Sequence, residues 1–200
     1  MLNKSQEQSS KKTERVEKII AGVDYSMTCP CVCVHTGDKF SFKNCQFFFL
    51  TDKKRFDGTH FNVFHGEYFH NWSCDMDRYD SIADWAMTKL VGAEHVGLEG
   101  YAFAAKGKIF NIAENTGILK YKLWEKRIPV TIISPTEVKK MATGKGNADK
   151  EVMTRQFRID TGVNLKKDLT PKSSKVINPV SDIVDSYYVC KELWYKTIDF

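Results

Sequence analysis

Over the first third of the chain, apolar and polar positions fall in short runs that suit strands rather than helices. Lys18 to Ser26 (KIIAGVDYS) is a β-rich run ending in Asp24-Tyr25-Ser26. Cys31 to Thr36 and Phe42 to Thr51 predict two further strands, with a turn at Thr36-Gly37-Asp38. That order gives an antiparallel meander. Asp52 to Cys74 has no clear period and is rich in His, Gly and aromatic residues. It predicts a long loop or a small insertion.

The period then changes. Asp77 to Leu90 places Tyr79, Ile82, Ala83, Ala86 and Leu90 at helical spacing, and His95 to Tyr101 predicts a strand carrying Glu99. Phe110 to Lys126 is helical again, with Phe110, Ala113, Gly117 and Tyr121 along one side. Pro129 to Ser134 (PVTIIS) predicts a short buried strand. Ser134, Pro135 and Glu137 form the start signal of a capped helix. A Gly- and Lys-rich loop spans Met141 to Asn147, and Asn147 or Asp149 opens a helix that runs to Thr161. Residues 163–178 predict a basic loop. Pro179 to Ile198 predicts a final helix that packs Val180, Ile183, Val184, Tyr187, Cys190 and Trp194.

Composition bounds the class. The 200 residues are 42% hydrophobic, which suits one domain over 18–200 with a sizeable core. Residues 1–17 are polar and predict a flexible tail without the apolar stretch of a secretory signal. No apolar run reaches the length of a membrane span. Together these give the expectation of a cytoplasmic protein, and of six cysteines kept as reduced, buried thiols. A zinc site could draw on CPCVC with His60, His65, His70 and Cys74, but the paired CxxC spacing of structural zinc is absent. The three histidines recur every five residues, which matches neither a helical nor a strand face.

Charge adds a direction. The formal net charge is +5, yet Ile118 to Lys175 holds 14 Lys and Arg against 6 Asp and Glu. A basic segment beside acids suits a polyanion whose phosphates meet metal ions. A solvated basic face is the plainer alternative.

Four acids stand out. Asp24 and Glu99 each follow a short apolar run, so they project from buried strands. Asp182 and Asp185 are three residues apart on a helical pattern and share a face. Carboxylates are seldom buried alone, and four together repel unless a divalent cation sits among them. Taken singly, each has a plain structural explanation: a turn cap, an ion pair, or a favourable charge at a helix start. Taken jointly, they predict a magnesium-dependent phosphodiesterase. Three strands, alternating helices and strands, and an acid-bearing last helix give the order of the α/β ribonuclease H-like fold. The expectation is a mixed five-stranded sheet with helices on both faces.

The segments IIAGVDYS, VGLEGYAFAAKG, PVTIISPTEVKKMATGKGNADKEVM and NPVSDIVDSYYVCKEL, in that order, resemble the RuvC-type Holliday junction resolvases over residues 18–195. The resemblance implies a catalytic and metal-binding tetrad of Asp24, Glu99, Asp182 and Asp185, and functional lysines at Lys139 and Lys150. Two Mg²⁺ ions per site are implied, with Mn²⁺ able to substitute. Lys145 in the TGKGN loop joins the expected DNA contacts. An aromatic wedge is expected after Glu99, and both Tyr101 and Phe103 are available. The implied activity is a structure-selective endonuclease in DNA recombination and repair. It acts on branched DNA and four-way junctions as a homodimer, through a surface that includes the Phe110–Trp124 helix. Another ribonuclease H-like nuclease or integrase, and a junction-binding protein without catalysis, remain as alternatives. The 52–74 stretch and the cysteines point to a divergent, phage-type member.

Overall fold

The computed structural model describes residues 18–101 and 109–198. The tail predicted over residues 1–17 and the candidate Phe103 lie outside the described residues. The meander forms as expected: β1 (Ile19–Asp24), β2 (Cys31–Thr36) and β3 (Cys45–Thr51). The first three residues assigned to the third strand, Phe42–Asn44, instead make a single 3-10 turn. Ser41 caps it by accepting from the Lys43 amide, a local bond that competes with strand pairing.

The largest departure is the strand count. The sheet has seven strands, not five, in the order β4-β5-β3-β2-β1-β6-β7. The two additional strands, β4 (Gly58–His60) and β5 (Phe64–Tyr68), come from the stretch expected as a long loop. β4 is only three residues long, too short to print an alternation on the sequence. The bend between them uses Phe61 and Asn62 at positive φ, which leaves no Gly signal at the turn. β5 lies parallel to β3, a pairing that local sequence cannot announce.

The remainder follows the predicted order. α1 (Asp75–Lys89) leads to β6 (His95–Glu99), α2 (Ile109–Glu125) to β7 (Val130–Ile133). Then come α3 (Pro135–Thr143), α4 (Lys150–Thr161), α5 (Leu165–Leu169) and α6 (Val180–Ile198). α3 starts in a complete capping box between Ser134 and Glu137 and stops at Gly144 in the left-handed region. α5 is a short helix inside the predicted basic loop. On α2 the side holding Phe110, Gly117 and Tyr121 faces solvent, and Asn115, Thr116, Leu119 and Leu123 are buried. Spacing groups these residues on one side, and the structure shows that this side is the exposed one.

Strand alternation divides the core. Ala21, Val23, Val32, Val96 and Leu98 pack against α1 and α2. Ile20, Cys31, Cys33, Phe47 and Phe49 pack on the opposite face against α6 and its neighbours. Cys29, Cys31, Cys33, Cys45 and Cys190 are buried, and Cys74 is exposed. The Ser186 hydroxyl donates to the Cys31 sulfur at 3.3 Å, so small thiols fill the seam below α6.

That seam is narrow because of two glycines. Gly22 on β1 and Gly97 on β6 are register partners across the parallel pair. A Cβ on Gly22 would stand 2.5 Å from the Ser186 carbonyl oxygen and overlap the Cys190 backbone. One on Gly97 would press on Val189 and Leu193 at 3.1 and 3.2 Å. The absent side chains leave a trough into which α6 settles, backbone against sheet. Gly22→Ala should therefore destabilise the fold by about 3 kcal/mol or more, because α6 must lift away. Chemical denaturation measures this, and a loss below about 0.5 kcal/mol would mean α6 does not touch the sheet as described.

Candidate active site

Alternation decides where the acids point. Asp24 is in phase with Ile20 and Gly22, and Glu99 with Gly97, so both face α6. They sit one step beyond the Val23–Leu98 register pair, at the C-terminal ends of adjacent parallel strands. α6 crosses this edge with its first turns and supplies Asp182 and Asp185. Carboxylate oxygens of Asp24, Glu99 and Asp185 approach within 4.8 Å of one another. Asp182 lies one turn earlier, is only 5% exposed, and stands outside that triangle. Its carboxylate accepts the Ser181 hydroxyl at 3.3 Å.

Electrostatics at the cluster are unfavourable in the bare protein. Burial first, then the charges of Glu99, Asp182 and Asp185, push the Asp24 carboxyl far above its ordinary value. Burial with Asp185 and Asp182 raises Glu99 to about 8. Burial also raises Asp182 to about 7, with Lys150 pulling the other way and Asp185 adding to the rise. Asp185 rises to about 6 by burial, against the opposing pull of Lys150 and Lys139. Among the described residues no cation forms an ion pair with any of the four. Converging hard oxygen donors, half-buried and without an ion-pair partner among the described residues, fit a divalent cation.

The cluster forms the floor of an open cleft of about 640 Å³. Its walls bring in Lys139 from α3, Lys150 from the first turn of α4, Tyr101 after β6, and the Ser26–Thr28 connection after β1. Lys139 and Lys150 thus line the same cleft as Asp24, Glu99 and Asp185. Lys145 is exposed on the intervening loop and does not line the cleft. Lys120 stands 5.2 Å over the Tyr101 ring. Sequence reasoning passed over two contributors. Asp149 caps α4 by accepting the Val152 amide and also borders the cleft. Arg78 on α1 donates to the Met27 carbonyl and so fixes the Ser26–Thr28 wall. The cap signal was visible for the first, but the second spans 51 residues and leaves no local trace.

No protein-family description matches the chain, and no curated protein sequence matches it. Solved structures do. A Thermus thermophilus RuvC structure is 16% identical, with 89% of this chain and 96% of that one aligned at a TM-score of 0.58. T. thermophilus RuvC in complex with Holliday junction substrate is 15% identical over 90% of this chain and 96% of its own, at 0.60. The yeast mitochondrial Holliday junction resolvase is 13% identical over 86% and 76%, at 0.50. The chain therefore has the ribonuclease H-like fold of the RuvC structures.

The raised carboxyl values fix a pH signature. In the unfolded chain these acids titrate near 4, so between that pH and about 8 the folded state holds more protons. Stability is then full below about pH 4 with respect to these groups, and declines as pH rises through about 6 to 8. In metal-free buffer the melting temperature should fall between about pH 5 and pH 8.5. Asp185→Asn should flatten the fall. A wild-type melting temperature that rises over this interval would contradict the clustering.

Proposed function

We propose that this protein is a divalent-metal-dependent DNA endonuclease that resolves four-way junctions by paired nicks. The observation that carries the reading is the convergence of Asp24, Glu99 and Asp185 within 4.8 Å in an open, lysine-walled cleft. The fold adds support, since one of the RuvC structures that share it is a complex with Holliday junction substrate.

Asp24, Glu99 and Asp185 would hold the cations, two Mg²⁺ by this reading with Mn²⁺ as a substitute, and Asp182 would complete the set from the same helix. When bound, such ions supply a water nucleophile at neutral pH and neutralise charge on the leaving oxygen. The protein's own groups do the remaining work. Asp24, on the interior strand β1 and flanked by Glu99 and Asp185, would be one of the residues that hold the cations. Lys150 and Lys139 reach the same cleft, where their ammonium groups meet phosphate and offset charge in the transition state. Tyr101 offers a ring at the mouth for stacking on a base. Lys145, on the rim outside the cleft, would meet the duplex backbone.

A junction with two-fold symmetry needs two sites presented by a symmetric dimer. The surface of α2 supports that assembly: Phe110 is 79% exposed, Trp124 72% and Tyr121 56%. Tyr121 and Trp124 stack obliquely at 5.9 Å. Aromatic residues of this size in one strip are typical of interface cores.

Asp24→Asn should reduce cleavage of a synthetic four-way junction by roughly 10³-fold, while junction affinity is kept or raised because a negative charge facing phosphate is gone. Millimolar Mg²⁺ should raise the melting temperature of the wild type and do so much less in this variant. Equal cleavage by Asp24→Asn would refute the assigned site. Lys139→Ala and Lys150→Ala should each slow single-turnover cleavage by about ten- to a hundredfold. Unchanged rates in both would remove them from the reaction.

A further inference from the structure

Five strands, β1, β3, β5, β6 and β7, run the same way and end at the same edge of the sheet. Asp24 and Glu99 stand at that edge. The chain leaving β3 emerges there too, and its first residues are Asp52, Lys53, Lys54 and Arg55. All four are exposed. Lys54–Phe56 is a 3-10 turn whose Phe56 ring is 2% exposed, plugged into the core beside Phe49 and Phe64. The turn lies so close to β5 that a Cβ on Gly66 would overlap the Phe56 carbonyl oxygen. That same oxygen accepts from the His60 ring at 3.1 Å when Nε2 carries the proton. The basic residues are thus held on a fixed mount rather than on a loose loop.

Across from them runs the 171–178 loop with Lys172 and Lys175, both exposed. A depression of about 370 Å³ separates the two segments, lined by Thr51, Asp52 and Lys53 on one side and Val176 to Asn178 on the other. Thr28 lines both this depression and the catalytic cleft, so the two adjoin. Among the described residues none of Lys53, Lys54, Arg55, Lys172 or Lys175 forms an ion pair. Two acids share the segment. Asp57 is engaged by the Tyr68 amide at 3.2 Å, and Asp52 borders the depression. Five cations against these two leave the strip positive. It lies beyond the Thr28 end of the cleft, apart from the wall that carries Lys139 and Lys150.

We infer that Lys53, Lys54 and Arg55, with Lys172 and Lys175 opposite, bind the phosphate backbone of the DNA arm that leaves the cleft past Thr28. The inference rests on the proposed nuclease function and adds a second, non-catalytic contact track to it. The β3–β5 insertion then serves to carry cations to the edge where DNA passes. Contacts to phosphate hold an arm in place without reading its sequence.

The test uses the full-length chain, a labelled immobile four-way junction and a linear duplex of equal length. Binding is measured in metal-free buffer over a salt series. The triple variant Lys53→Ala, Lys54→Ala, Arg55→Ala is compared with a charge-matched control, Lys39→Ala, Lys43→Ala, Lys126→Ala, whose sites lie at the opposite edge. Thermal melting confirms that both variants are folded. The strip variant should show a plot of log K against log salt shallower by about 2 to 3, near 0.9 per lost phosphate contact, and at least tenfold weaker junction binding. Its single-turnover cleavage rate at saturating junction and Mg²⁺ should stay within about twofold of wild type, since the cleft is untouched. A wild-type slope in the strip variant, or an equal change in the control, would overturn the inference. If the wild type cuts no junction, the functional reading fails instead, and the slopes on linear duplex still decide whether the strip binds DNA.

Discussion

The contact between α6 and the sheet at Gly22 and Gly97 governs this molecule. Helices usually ride on side chains, at a distance that leaves carboxylates on helix and strand apart. Here two register-paired glycines remove those side chains, and the helix backbone meets the strand backbone. Asp185 can then reach Asp24 and Glu99. The cysteines below α6 belong to the same constraint, since only small groups fit between Ser186 and β2.

That approach has an electrostatic penalty. Burial raises all four carboxyls, repulsion adds to the rise at Asp24, Glu99 and Asp182, and the nearby ammonium groups of Lys150 and Lys139 only moderate the effect. Neither lysine closes an ion pair with the acids, so both remain free for a phosphate. A protein optimised for stability alone would place an apolar residue at Asp185. Retaining the charges makes sense where a multivalent cation is the missing partner, with function set against stability at one point.

How much of this could be read from residues alone depends on the range of the interaction. The four acids stood out because they follow strand runs or share a helix face that local rules mark, whereas Lys139 and Lys150 came only from the resemblance to the resolvases. The Ser134–Glu137 cap and the buried stripe of α6 were read for the same reason. The parallel pairing of β5 with β3 and the reach of Arg78 to Met27 were not legible, since both join segments that carry no mutual signature. Helical spacing grouped Phe110 and Tyr121 on one side of α2 but does not say whether that side faces core or solvent, and it faces solvent. The separation of Asp182 from the other three acids is a matter of ångströms that spacing does not resolve.

The outer rim of the sheet ends in β4, a strand of three residues. Gly58 and Thr59 on it are exposed and small or polar, and the chain turns away at Phe61 and Asn62. Such a stub presents few unsatisfied amides along a straight line, so a stray extended polypeptide finds little template for adding itself in register. The enlarged sheet can therefore broaden without inviting β-aggregation along that side.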